Sequence, residues 1–142
     1  MSVELEILLR LVLAAVLGGV LGVEREYLGK PAGMRTYGLV ALGATLFTIV
    51  SKYGFLDGGG EIDPSRVAAQ IVTGIGFLGA GVIVFRGIKV EGLTTASGLW
   101  VAAAVGMAIG VGMYVVGVAA TLLGVVVIVG MRRFDIEHRF RK

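Results

Sequence analysis

The chain contains no cysteine, one histidine and two prolines. Without cysteine it cannot form a disulfide, a thiolate metal site or an iron–sulfur cluster, and it has no thiol nucleophile. The one histidine, His138, lies near the end of the chain, and we recognise no pairing of a nucleophile with a base. We therefore expect a protein that is not an enzyme and that carries no resident cofactor.

Charge is also scarce: 16% of the residues are charged, while 56% are hydrophobic and 24 are glycine. The mean hydropathy is +0.92, which is higher than a small soluble domain can bury. A helix needs about 20 apolar residues to cross a bilayer. Residues 93–131 are too long for one crossing, so we break them between Gly110 and Met113. The predicted spans are then 5–23, 36–51, 67–85, 93–110 and 113–131.

These spans predict an all-α membrane protein, a bundle of about five transmembrane helices in residues 1–131, followed by a basic cytoplasmic tail in 132–142. The distribution of lysine and arginine predicts its orientation. With the N-terminus outside and the C-terminus inside, ten cations lie in the cytoplasm and three, Arg10, Lys52 and Arg66, lie outside. The first span is not predicted to be a cleaved signal peptide, because Glu4 and Glu6 stand where such a peptide is positive.

Small residues recur at helical spacing in several spans, which is typical of close helix packing in lipid. The predicted packing positions are Gly18, Gly22, Gly76, Gly79, Gly81, Gly98, Gly106 and Gly110. The stripe from Gly98 to Gly110 predicts a face for self-association, as a homodimer or a larger homo-oligomer. The run 74–81 also contains G-x-G-x-x-G, but no strand precedes it, so we do not interpret it as a nucleotide site.

The third span carries a polar stripe on one helical face. Asp63, Arg66, Gln70 and Thr73 are spaced by three and four residues. Asp63 before Pro64 also predicts a helix N-cap. For Arg66 and Gln70 two roles stay open: hydrogen bonds to other helices and headgroups, or the lining of a polar cavity or substrate path.

A second polar group is predicted at the cytoplasmic side. The segment with Glu24, Arg35 and Thr36 is either an ordinary connector or a folded site in which Glu24 pairs with Arg35. Thr94 and Thr95 begin the fourth span at the same side, where Thr94 could cap the helix. The tail mixes cations with Phe134, Ile136 and Phe140, which favours anionic lipid headgroups over nucleic acid.

Several separated runs, in order and spacing, carry a resemblance to a known family. They are the runs 22–26, 29–36, 39–44, 69–83 and 92–96. The chain resembles the MgtC/SapB family of bacterial inner-membrane proteins over nearly all of residues 5–130. Because it ends after a basic tail, it is more similar to short SapB-like members than to MgtC, which carries a soluble C-terminal domain. Thr94, Val101 and Tyr37 depart from residues found in MgtC relatives.

The resemblance implies a multi-pass protein of the bacterial inner membrane, linked to magnesium homeostasis and growth at low Mg²⁺. It also implies modulation of other membrane proteins. By position, the family pattern points to a set of polar residues, glycines and one tryptophan: Glu24, Arg25, Arg35, Thr36, Asp63, Arg66, Gln70, Thr73, Gly76, Gly79, Gly81, Thr94, Thr95 and Trp100.

Two functions remain open. The first is a regulator that binds other inner-membrane proteins through small-residue faces. The alternative is a transporter or channel for Mg²⁺ or another small ion or solute along the third helix. The expected ligand or ion path is Glu24, Arg35, Thr36, Asp63, Arg66, Gln70, Thr73, Thr94 and Thr95. Mg²⁺ remains open as a ligand, with Asp57, Glu61 and Asp63 gathering hydrated cations at the outer mouth. No acidic residue lies deep in a span, so the sequence identifies no metal ligands there.

Overall fold

The computed structural model describes residues 2–54, 63 and 65–134, and within them it is a bundle of five helices with one short hairpin. The elements are α1 (Val3–Tyr27), α2 (Met34–Tyr53), α3 (Ser65–Val82), β1 (Val84–Arg86), β2 (Lys89–Glu91), α4 (Leu93–Val111) and α5 (Tyr114–Val125). A π-helical turn, Val126–Gly130, and a 3₁₀ turn, Met131–Phe134, follow α5. The first four helices are each long and apolar enough to cross a membrane. The expected all-α membrane class is confirmed.

The helix bounds differ from the predicted spans at the polar ends. α1 continues to Tyr27, so the charged residues 24–26 belong to its last turn and not to a connector. α3 ends at Val82, and residues 84–91, assigned to a span and a loop, form an antiparallel hairpin in which Arg86 faces Lys89. Hydropathy reports the apolar length of a segment, whereas hydrogen bonding decides where the helix stops.

The predicted break between the last two spans is confirmed. Gly112 has φ +91°, a left-handed conformation that suits glycine. Its N–H donates to the carbonyl of Ile109 at 3.0 Å, and the N–H of Met113 donates to the carbonyl of Ala108 at 2.8 Å. This pair of bonds is the Schellman motif that ends a helix.

The centre of the bundle lies among α1, α2 and α4. Tyr37, Leu21, Leu99, Val105 and Ile109 are fully buried there. Because lipid removes the hydrophobic drive between helices, their association depends on close contact.

The predicted packing glycines of α1 and α4 provide that contact. A β-carbon at Gly18 would lie 2.6 Å from both the Ala41 β-carbon and the Tyr37 carbonyl oxygen, and one at Gly106 would collide with the Ala41 carbonyl. One at Gly22 would lie 2.7 Å from the Gly33 carbonyl. These glycines therefore set the separations of α1 and α4 from α2 and from the connection that precedes it.

The predicted self-association face is wrong. Gly98, Gly106 and Gly110 are buried inside the single chain, where they meet Tyr37, Ala41 and Thr48 of α2. A stripe of small residues indicates that some helix approaches closely, and here that helix belongs to the same chain.

α3 lies at the edge of the bundle. Its buried residues are Ile71, Ile75 and Gly79, and the two isoleucines pack in a small cluster with Ala44 and Ala103. A β-carbon at Gly76 or Gly81 would meet no described atom within 4 Å. The prediction that Gly76 and Gly81 pack against another helix is therefore wrong within the described chain, because both face away from the bundle.

Candidate functional site

The structure separates the nine residues of the predicted path. Only Thr36 and Gln70 line one cavity between helices, and Asp63, Arg66 and Thr73 lie along exposed parts of α3 and its start. Glu24, Arg35, Thr94 and Thr95 lie near the opposite end of the bundle. We call this the Arg25 end, where α1 and α5 finish, and we call the other the Arg10 end.

The cavity that Thr36 and Gln70 share is a groove between α2 and α3, which we call the α2–α3 groove. It has a volume of about 530 Å³. Its lining residues are Thr36, Leu39, Val40, Gly43, Ala44, Phe47, Gln70, Ile71, Gly74, Ile75 and Leu78. Leu39 and Phe47 are 69% and 62% exposed, so the groove opens to the side of the bundle. A membrane would present lipid or another helix to this opening.

The α2–α3 groove is apolar along its length, with a polar side chain towards each end. Thr36 lies in the first turn of α2 at the Arg25 end, and Gln70 lies in the second turn of α3 at the Arg10 end. β-carbons at Gly43 and Gly74 would meet no described atom within 4 Å, so both glycines leave free space in the groove. This arrangement suits a long apolar group with polar ends.

The remaining polar residues of α3 do not point into the groove. Thr73 donates its hydroxyl to the carbonyl of Ala69 in its own helix at 3.0 Å. Arg66 and Thr73 are exposed, and neither lines the α2–α3 groove. Their stripe therefore follows the outer side of α3.

Asp63 takes the capping role that the sequence predicted. Its carboxylate accepts hydrogen bonds from the backbone N–H and the hydroxyl of Ser65, at 2.9 and 2.6 Å. These hydrogen bonds, the side-chain bond first, lower the pKa of Asp63 below its ordinary value of 3.8. The carboxylate therefore remains charged at the start of α3 throughout the neutral range.

At the Arg25 end, Glu24 pairs with two arginines, and Arg35 is not one of them. The Glu24 carboxylate accepts from the adjacent Arg25 guanidinium, which is buried, and its other oxygen lies 3.3 Å from Nη1 of Arg132. Arg35 is exposed on α2. The proposed Glu24–Arg35 pair is therefore wrong, because Arg132, distant in sequence, returns to the end of α1.

Glu26 serves the turn between α1 and α2. Its carboxylate accepts from the backbone N–H of Met34 at 2.7 Å, at the first residue of α2. An anionic group at a helix N-terminus compensates the unpaired N–H groups and the helix dipole. Glu26 thus stabilises the turn between α1 and α2, while Glu24 pairs with Arg25 and Arg132.

Thr94 and Thr95 have different surroundings. Thr95 is fully buried, and its carbonyl accepts the Tyr37 hydroxyl at 3.0 Å. Thr94 is exposed and lines a cavity with Arg25 and Arg132. The predicted capping role of Thr94 is wrong, because α4 begins at Leu93 after Gly92 and has no side-chain cap. Trp100 is 52% exposed on the outside of α4.

Sequence reasoning missed a polar cluster at the Arg10 end. Arg10 is buried, with its Nε donating to the Tyr114 hydroxyl at 2.9 Å and its Nη1 donating to the Gly110 carbonyl at 2.8 Å. It also pairs with Glu6, one turn earlier in α1. The Glu6–Arg10 spacing was the one available signal, since pairs four residues apart meet on a helix. The cluster ties α1 to the α4–α5 turn.

Some predicted features lie outside the described residues. Among them are Asp57 and Glu61 of the outer loop and residues 135–142 of the tail, including His138. Across the described positions, no group of three or more histidine, aspartate or glutamate side chains is placed to hold a metal ion.

Comparison with known proteins identifies relatives in several bacteria. The chain is 51% identical over 128 residues to the "Putative magnesium transporter YhiD" of Escherichia coli K12, covering 87% of this chain and 59% of the relative. It is 45% identical over 116 residues to "Protein MgtC" of Salmonella typhimurium LT2, covering 82% and 48%. With "Uncharacterized protein slr0014" of Synechocystis it shares 46% identity over 127 residues, covering 89% and 53%.

The chain spans about half the length of the curated relatives it matches. No solved structure is a significant match to it. The MgtC family model matches residues 11–136, which include all of α2, α3, α4 and α5 and most of α1. On this match, and on helices able to cross a membrane, the chain is a membrane protein that belongs to the MgtC family.

Proposed function

We propose that this protein serves magnesium homeostasis in the bacterial inner membrane, where it supports growth at low Mg²⁺ by binding and modulating other membrane proteins. The link to magnesium draws on the relatives, one of which is described as a putative magnesium transporter. The regulatory mode draws on the α2–α3 groove. It is a non-catalytic role.

The observation that carries the proposal is the form of the α2–α3 groove. It opens sideways, is apolar at its centre, and has Thr36 and Gln70 towards its ends. Gly43 and Gly74 leave room for close approach, which is how helices associate in lipid. A transmembrane helix of a partner fits these properties: apolar in the middle and able to form hydrogen bonds near Gln70.

Leucine at Gly43 or Gly74 tests this proposal, because a β-carbon at either position meets no described atom within 4 Å and the rest of the side chain would occupy the groove. Gly76→Leu is the matched control, since Gly76 is equally open and lies outside the groove. In a strain lacking its own MgtC-family protein, we expect Gly43→Leu and Gly74→Leu to lose growth at limiting Mg²⁺ and Gly76→Leu to retain it. Growth of all three variants, at equal protein levels, would contradict a function for the groove.

The alternative function is transport of Mg²⁺ or another small ion or solute along α3. It is favoured by the exposed polar stripe with Arg66 and Thr73 and by the Gln70 amide in the groove. Flux into liposomes that contain the purified protein distinguishes the two functions. A regulator gives no Mg²⁺ or anion flux above empty liposomes. Flux that is lost in Arg66→Ala and Gln70→Ala would replace the proposal with transport.

Self-association remains a prediction, but its interface lies on a face other than the Gly98–Gly110 stripe, which is occupied within the chain. Crosslinking of the detergent-solubilised chain measures the oligomeric state.

A further inference from the structure

The Arg25 end contains a second cavity, which we call the Arg25 pocket. It has a volume of about 550 Å³ and lies between the end of α1, the start of α4 and the turns that follow α5. Arg25, Lys30 and Arg132 contribute three cations, and Thr94 contributes a hydroxyl. Val127 and Met131 form part of an apolar wall. Cationic groups and apolar side chains therefore meet in one cavity.

The charges at this pocket do not cancel. Glu24 is the carboxylate that contacts Arg25 and Arg132, while Glu26 is engaged with the backbone of Met34. Three cations thus face one carboxylate, an excess of two positive charges among the described groups. Arg25 has only 7% of its side chain exposed and Glu24 12%, so this pair is a fixed part of the bundle.

Glu24 also orients the two guanidinium groups. Nε and Nη2 of Arg25 both contact Oε2 of Glu24, and Nη1 of Arg132 contacts Oε1. Arginine binds phosphate through several parallel N–H groups, and a guanidinium already held in place loses less entropy on binding. Lys30, which is exposed, adds a flexible cation at the rim.

We propose that the Arg25 pocket binds a phosphate group, with an anionic phospholipid headgroup as its source. The cations would contact the phosphate, and Val127 and Met131 would contact the apolar part that begins below it. The pocket lies where the helices end, which is the level of the headgroups in a membrane-spanning bundle. Basic pockets between transmembrane helices are known to take such headgroups.

The test measures the thermal stability of the detergent-purified chain as lipid is added. We expect phosphatidylglycerol to raise the midpoint of unfolding at concentrations where phosphatidylcholine does not. Lys30→Gln should weaken the apparent affinity by about fivefold, the effect of one cation near an anionic lipid surface. Because Lys30 is exposed, we expect this variant to keep the fold.

Arg86→Gln is the matched control, because it removes one exposed cation from the hairpin that follows α3. It should bind phosphatidylglycerol like the parent chain. Equal weakening by Lys30→Gln and Arg86→Gln would mean that general surface charge attracts the lipid, and the proposal would be overturned. The proposal would also be overturned if the chain showed no preference for phosphatidylglycerol over phosphatidylcholine.

Inorganic phosphate distinguishes a lipid headgroup from a soluble ligand as the source of the bound phosphate group. If the lipid is the source, millimolar phosphate leaves the unfolding midpoint unchanged. A rise with phosphate that is lost in Lys30→Gln would support the pocket as a phosphate site and identify a soluble ligand as its source.

Discussion

Glycine residues within two of the predicted spans have opposite surroundings in this chain. Gly106 meets the backbone of Ala41 so closely that a β-carbon would collide with it, whereas Gly76 has open space around it. Hydropathy does not distinguish the two positions, since both lie in long apolar runs. Their effects on stability should therefore differ in sign.

We predict that Gly106→Ala destabilises the fold by about 1–3 kcal/mol, because α2 and α4 must move apart to accept a methyl group. Gly76→Ala should be neutral or should stabilise by up to about 1 kcal/mol, since alanine favours helix over glycine. Thermal or denaturant unfolding in detergent measures both. Equal effects of the two substitutions would contradict the packing around Gly106.

Arg10 is the residue whose role could not be recognised from its neighbours. We predict that Arg10→Met lowers stability by about 1.5–3 kcal/mol, the range for a hydrogen bond to a charged group, because it removes donors to Tyr114 and Gly110. Lys52→Met, which removes an exposed cation from the same end, is the control. A loss no greater than that of Lys52→Met would show that the Arg10 cluster does not hold α1 to the α4–α5 turn.

The ends of the elements follow local backbone chemistry. The α4–α5 turn was predictable because glycines interrupt a long apolar run there, and Gly112 indeed has a left-handed conformation. The hairpin at 84–91 was not predicted from hydropathy, since Val84 and Phe85 continue the apolar character of α3 and the charged residues after them are typical of a loop. A short apolar stretch at the end of a span is compatible with either helix or strand.

At the α4–α5 turn we predict that Gly112→Ala lowers stability by about 1–2 kcal/mol, the cost of a left-handed conformation for a residue with a β-carbon. Gly43→Ala is the control, because Gly43 lies within α2 and has free space around it. Differential scanning fluorimetry is sufficient for the comparison. A Gly112→Ala chain as stable as Gly43→Ala would contradict the strained turn.

The bundle as a whole has two ends with different charged clusters, and the distribution of cations predicts which end faces the cytoplasm. The absence of cysteine makes this prediction easy to test, because a single introduced thiol is the only one present. Ile88 at the hairpin tip is 96% exposed, and Met113 at the α4–α5 turn is 51% exposed. Ile88 therefore marks the Arg25 end of the bundle, and Met113 marks the Arg10 end.

With the N-terminus outside, Met113→Cys should react with a membrane-impermeant maleimide added to intact spheroplasts. Ile88→Cys should react only after the membrane is opened. Gel-shift labelling before and after permeabilisation measures both, and the parent chain gives the background. The reverse pattern would invert the orientation and would place the Arg25 pocket at the outer surface.

Hydropathy, glycine spacing and charge in the linear chain were enough to predict the membrane class, the approximate positions of the helices, the α4–α5 break and the cap at Asp63. These features depend on composition and on contacts within a few residues. The partners of each helical face came only from the folded chain: Gly106 against Ala41, Arg10 against Tyr114, Glu24 against Arg132. Helical periodicity defines faces but not the rotation of one helix against another, and Arg10 and Tyr114 lie 104 positions apart. Tertiary packing determines those rotations. It also places residues of the predicted path in different cavities, with Thr36 and Gln70 in the lateral groove and Thr94 in the basic pocket.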